Sequence, residues 1–483
     1  MLPFRFASPA IVNAFCVVVC VASLIATPTA ARPQYGGTLR VSAHASIRSL
    51  DPGAAITDRS EAVLSARMRP LVFETLVEVD AAGGLRPVLA ESWESDAAGA
   101  RWRFRLRPGV TLHDGSPLEA WKIAAALRTT ATAWTVSTDG EAVVVEPARP
   151  ERDLAWALAD PRHAIAVRRS AAELVGSGPF RIDRLESGRA LLKAHDAYWA
   201  GRPFVDSVQV DFQRSPRVQL ADFESGRADI VELQPSDVRR VTERGLRVAA
   251  TRSIDLLVLV FESNRAEAAS EPARRLFAGA LDRSTIASVL LQGRAEPARS
   301  LLPPWLSGYS PELVASTVPR PTRTTVMALP AAQRTLTLRV DPADAVAHSI
   351  ADRIAEDARE VGFTVTVQAP TGLAPRPDVR LVRAALASTS PDRSLLQLGA
   401  ELGSRTLSAA TPGPVLTAGA SLDTVVRFER AVLGGFVVIP VVRMPELFGV
   451  GDAVDISEGE AVDPTGRWNF ANLWIRSSTR ARP

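Results

Sequence analysis

The chain has 483 residues, of which 46% are hydrophobic and 23% charged. At ~150 residues per domain this length suggests about three packed units, and the composition argues against a disordered chain. The 56 basic and 53 acidic residues nearly cancel to +3, so there is no basic surplus of the kind that holds nucleic acid.

Ala10 to Ala26 is an almost unbroken apolar run, followed by Thr27-Pro28-Thr29-Ala30-Ala31. Small residues at Thr29 and Ala31 suit a cleavage site, so residues 1–31 read as a secretory signal peptide cut near Ala31. The run is short for a ~30 Å hydrocarbon core, which argues against an uncleaved anchor. Cys16 and Cys20, the only cysteines, both fall inside it. The mature chain therefore offers no thiol, disulfide or Cys-based zinc site, as suits an oxidising compartment. An exported, soluble protein is expected.

Beyond Gly36-Gly37, Thr38 to Ser42 alternates as an entry strand. Ser49-Leu50-Asp51-Pro52-Gly53 is a turn, and Leu64 to Val77 has helical apolar spacing. From Arg101 to Arg107, Trp102, Phe104 and Leu106 alternate with four arginines. That is a half-buried strand whose arginine row reads as a solvated outer face. Pro117 opens a helix through Leu127, Val143 to Val145 reads as a strand, and Leu154 to Leu158 as a short helix. Gly176-Ser177-Gly178-Pro179 turns into a strand, Ser207 to Phe212 is another, and Val218 to Glu224 is a helix ended by Gly226. The continuous apolar run Asp255 to Phe261 suits a buried strand.

The clearest unit is β-α-β. Thr335 to Val340 is a strand, Val346, Ile350, Ile354 and Val361 mark one helix face, Gly362 stops the helix, and Phe363 to Val367 is the next strand. Its strands should be parallel, with ligands beyond their carboxyl ends. Arg380 to Ala385 is a third strand of that sheet, and Ser388 to Ala420, rich in Ser, Thr, Gly and Pro, reads as largely loop.

The sequence carries little reactive chemistry. The five histidines (His44, His113, His163, His195, His348) lack metal-ligand spacing. No nucleophile elbow or phosphate-cradling glycine loop occurs, and acidic pairs such as Glu356-Asp357 read as the solvated face of a helix. No catalytic residue, metal or cofactor is expected.

Several blocks stand in a familiar order. They are Ser49-Leu50-Asp51-Pro52, Leu71 to Val77, Pro87-Val88-Leu89-Ala90-Glu91-Ser92-Trp93 and Phe104 to Leu118, then Gly176 to Arg181, Tyr198-Trp199 with Gly201-Arg202-Pro203, Phe223 to Ile230 and Ala280-Leu281-Asp282-Arg283. This series resembles the family 5 extracellular solute-binding proteins, the peptide- and nickel-binding receptors of bacterial ABC importers. The match is dense from about 36 to 305 and resumes at Val438-Ile439-Pro440 and near Trp474.

The resemblance implies an α/β protein with a two-lobed periplasmic-binding-protein-like (type II) fold, a hinge, and an extra domain inserted in lobe I. Lobe I would comprise 36–77, 177–262 and a return at 441–483, the inserted domain 78–176, and lobe II 263–440. It further implies a periplasmic monomer that captures a peptide or related small solute and delivers it to ABC permease subunits. The runner-up is a degenerate binding fold acting as a sensor or interaction subunit. A secreted hydrolase would need a nucleophile and base that the chain does not show.

Two ligand-facing segments carry over, the loop Ala55, Ile56, Thr57 and Asp58, and the stretch from Arg383 to Asp392. Arg383 matches a position where some peptide binders carry arginine. Where peptide binders place an aspartate for the peptide amino terminus this chain has Thr389, and Leu386 replaces an aromatic; Asp392 is the nearest acid. A neutral hydroxyl cannot supply a charge-assisted bond to an ammonium, so free-amine recognition should be weakened. The segments Thr130 to Gly176 and Leu395 to Leu422 also depart from the pattern, the first by shortening and the second by lacking an asparagine-containing block.

Overall fold

The computed structural model describes residues 33–80, 84–170, 173–262, 270–303, 305–306, 318–368, 376–386, 390–403, 416–456, 460–463 and 466–476. The predicted leader and Thr389 lie outside them.

Three sheets organise the chain. The first has seven strands in the order 180–186, 189–194, 207–211, 38–42, 230–233, 447–450, 247–250. The alternating segment Thr38–Ser42 sits at its centre, parallel to both neighbours, and buries Leu39 and Val41. Helix α1 (Arg59–Val72) packs on this sheet through Leu64, Met68 and Leu71. It begins five residues before the predicted Leu64, because the Asp58 carboxylate caps it by accepting from Glu61 N at 2.8 Å, a contact worth ~1 kcal/mol. It ends before the predicted Val77, since Phe73 is extended and Val77–Val79 pairs as a strand.

The second sheet has six strands, ordered 296–297, 438–444, 255–261, 379–385, 335–339, 364–368. Asp255–Phe261 is buried at every residue, as expected of a central strand covered on both faces. The β-α-β unit is present: Thr335–Arg339 and Thr364–Gln368 run parallel, joined by α3 (Ala345–Val361). Gly362 ends α3 at φ 108°, a left-handed conformation that glycine adopts without a Cβ penalty. Val379–Ala385 joins the same sheet, parallel to Thr335–Arg339.

Two expectations are corrected here. Within Ser388 to Ala420, residues Pro391–Leu402 form a helix, α4, burying Leu395, Leu398 and Leu402; the surrounding Ser and Thr content hides that spacing. Asp357 is not solvated. It is buried, accepts from Asp282 N at 2.8 Å and pairs with Arg353 one turn away.

The third sheet, of four strands ordered 90–95, 102–106, 142–147, 134–139, packs beneath α2 (Ala120–Thr130), which starts three residues after Pro117. Trp102 and Phe104 point into its core, while Arg101, Arg103 and Arg105 pair outside with Glu146, Asp139 and Glu91 at 2.6, 3.2 and 2.8 Å. These three form a solvated, ion-paired face, but the fourth arginine of the row departs from it: Arg107 is half-buried, 4.0 Å from the Trp199 ring centroid, and donates to Val88 O at 2.8 Å.

Candidate ligand cleft

Two short connections join the large sheets. Residues 251–254 lead from strand 247–250 into 255–261, and residues 445–446 lead from 438–444 into 447–450. The two are laced together, Thr251 N donating to Glu446 O at 3.0 Å and Glu446 N to the Thr251 hydroxyl at 2.9 Å. Such a pair of crossings is the construction of a hinge, in which a few residues absorb a change of angle.

Charged side chains meet beside it. Arg67, on the apolar stripe of α1, is buried and pairs with Glu446 of the hinge and with Glu232 at 3.2 Å. On the second sheet, Arg383 holds Asp344 with two bonds of 2.7 and 3.0 Å and Asp255 with one of 3.0 Å. Burial disfavours the Arg383 charge, but Asp255 and Asp344 outweigh it and raise the guanidinium above its ordinary range. Asp344 is likewise disfavoured by burial, yet Arg383 holds its carboxyl below the usual range.

Arg59, the first residue of α1, crosses from the first sheet to the second. It donates to the Arg383 carbonyl and stands 3.5 Å from Asp255. A second bridge runs from Arg393 on α4 to Glu151 and to Asp153 O, the latter at 3.1 Å. Along the hinge lies an open cavity of ≈ 660 Å³ lined by Thr251, Arg252, Ser253, Arg294, Glu296 and Trp305 among others. A cleft of paired charges between two bodies can grip and release a solute.

The profile described as "Bacterial extracellular solute-binding proteins, family 5 Middle" matches residues 84–396, well over half the chain. The chain belongs to that family. Among individual relatives, the uncharacterised protein YhjP of Bacillus subtilis is 30% identical over 181 residues, 35% of this chain and 30% of that protein. The HTH-type transcriptional regulator SgrR of Escherichia coli K12 is 28% identical over 186 residues, 36% of this chain and 33% of that protein. The matched region thus spans about a third of the length of these curated relatives.

Among solved structures, the oligopeptide-binding protein AppA of Bacillus subtilis in complex with a nonapeptide superposes with a TM-score of 0.73 at 17% identity. It covers 92% of this chain and 100% of its own. NikA of Staphylococcus aureus in complex with Ni(L-His)2 gives 0.75 at 14% identity, covering 91% and 100%. These likenesses establish the two-lobed α/β fold; the seven-stranded and six-stranded sheets stand on either side of the two crossings.

In this family 5 chain, Ala55, Thr57 and Asp58 are exposed and Ile56 is half-buried, on the loop that feeds Arg59 to the interlobe contact. Asp58 is engaged as the α1 cap and Arg383 by its two acids. Leu386 is buried in a core cluster of the second lobe, its N–H donating to Ile254 O at 2.9 Å. Asp392 is also buried, its carboxylate accepting from the Ser390 hydroxyl and, at 2.7 Å, from Gly419 N. The structure therefore brings Arg59, directly after the 55–58 loop, against the Arg383 carbonyl across the cleft, while Leu386 and Asp392 face inward.

Sequence reasoning missed Arg59, Arg67, Asp255, Asp344 and Glu446. Two signals were available: Arg67 stands on the Leu64–Met68–Leu71 stripe, and Asp255 opens an otherwise apolar strand. Among the described residues, no group of three or more His, Cys, Asp or Glu is placed to hold a metal ion.

Proposed function

We propose that the chain is an exported, periplasmic receptor that closes its two lobes around a peptide or related small solute and passes it to the permease of an ABC importer. It acts as a monomer, without catalysis, after removal of residues 1–31. Lobe I takes 36–77, 177–250 and 447–483, with 78–176 inserted, and lobe II takes 255–444 rather than the expected 263–440, because strands 255–261 and 438–444 pair within the six-stranded sheet. Ala55 to Asp58, Arg383 and Thr389 flank the ligand, whereas Leu386 and Asp392, buried in the second lobe, support it from behind. The observation that carries this reading is the hinge of two laced crossings beside a cleft bridged by Arg59.

A ligand can shift such an equilibrium only by binding the closed state better than the open one. Small-angle scattering with and without each member of a solute panel, paired with thermal melting, tests the proposal. A solute that both raises the melting temperature and reduces the radius of gyration supports capture by closure. Binding that leaves the radius unchanged refutes it.

A further inference from the structure

The charges around the cleft are not all matched. Asp255, Asp344, Glu232 and Glu446 are each held by Arg59, Arg67 or Arg383. The cavity along the hinge is different. Arg252 is half-buried with its guanidinium over the Trp305 ring, 5.2 Å from the centroid, and Arg294 is exposed at the mouth. Among the described residues neither arginine has a carboxylate partner. The one acid in the lining, Glu296, is exposed on the rim and accepts from the Ser253 hydroxyl at 3.0 Å. The Trp305 indole N–H lies buried without an acceptor among the described residues.

We propose that this cavity is an anion subsite, formed by Arg252 and Arg294, that selects a carboxylate-bearing solute and dispenses with a free ammonium. The inference rests on the receptor reading above and specifies its ligand class. Arg252 is held over the indole face, which restrains its fork of donors for the two oxygens of a carboxylate. A carboxylate docked there neutralises two cations that the protein leaves unmatched. An ammonium in the same place meets both cations and finds only the rim glutamate. Specificity here comes as much from that repulsion as from the attraction. The cleft acids that would otherwise receive an amine are already committed to arginines of the protein itself.

The experiment uses the purified chain and calorimetric titration with four probes: N-acetyl-alanyl-alanine, its carboxy-amide, alanyl-alanine amide and succinate. The two carboxylates should bind, amidation of the first should weaken binding at least tenfold, and alanyl-alanine amide should bind worst. Arg252→Gln and Arg294→Gln should each weaken the acetylated dipeptide about tenfold and flatten its salt dependence. Arg294→Gln, at an exposed position, should leave the melting temperature unchanged. Binding of the amide or the amine-only probe as tight as that of the carboxylates, or unchanged affinity in both variants, overturns the anion assignment and leaves the receptor reading intact. A chain that binds none of the four, anionic, neutral or cationic, overturns both.

Discussion

Glu74 offers a sharp test of the physical reasoning. It follows α1, is fully buried, and accepts from the Ser177 hydroxyl at 2.7 Å, the Tyr198 hydroxyl at 2.9 Å and the Trp199 indole N–H at 2.9 Å. Burial is the largest influence and pushes its carboxyl up to about 7, against three hydrogen bonds and the nearby Arg107 charge, which pull it down. The folded state thus binds this proton more tightly than the unfolded chain, whose carboxyl keeps its ordinary value of 4.5. Stability associated with Glu74 is therefore fully present below pH 4.5 and is lost as pH rises through about 7. At ~1.4 kcal/mol per pH unit of difference, the loss between pH 5 and pH 8 comes to about 2.5 kcal/mol.

Glu74→Gln keeps the volume and an accepting oxygen but cannot ionise. In urea unfolding followed by tryptophan fluorescence, the stability of the variant relative to the natural chain should rise by about 2.5 kcal/mol from pH 5 to pH 8. Other titrating groups cancel in that difference. Parallel pH profiles for the two proteins would mean that the Glu74 carboxyl is ionised in the fold throughout, and that its three donors outweigh burial.

Arg383→Ala should be among the most damaging single changes at the cleft. It strips the buried Asp255 and the half-buried Asp344 of their shared partner, leaving Asp255 only Arg59 at 3.5 Å, at a cost of about 3 kcal/mol in a thermal melt or urea titration. Arg59→Ala should act differently: this half-exposed side chain links the lobes rather than the core, so scattering should report a larger radius of gyration at nearly unchanged stability. A melting temperature that falls as far as for Arg383→Ala would refute that distinction. Gly178→Ala tests the close approach between the Gly176–Pro179 turn and α1. A Cβ there would lie 2.7 Å from both the carbonyl carbon and oxygen of Val72, all backbone atoms that cannot swing aside. The cost should exceed the ~1–3 kcal/mol of ordinary overpacking, read as a large drop in melting temperature.

Much of the fold was legible because its strands and helices announce themselves locally. Period two in 102–106, the apolar run 255–261 and the 335–367 unit can each be read from one continuous stretch of sequence. The cleft was not, because its cluster draws on residues 59, 67, 255, 344, 383 and 446, which no window along the chain brings together. A second reason is that charge was weighed ahead of position. Asp357 completes the spacing Ile350, Ile354, Asp357, Val361 and so stands on the buried stripe of α3, just as Arg67 stands on that of α1. A charged residue on an apolar stripe must be met by an opposite charge or a backbone group when the helix packs, and both are. Applied at the hinge, the same rule turns the matched charges into scaffold. What remains unmatched, Arg252 and Arg294 against the rim carboxylate of Glu296, is then the part of the cleft left for a ligand to complete.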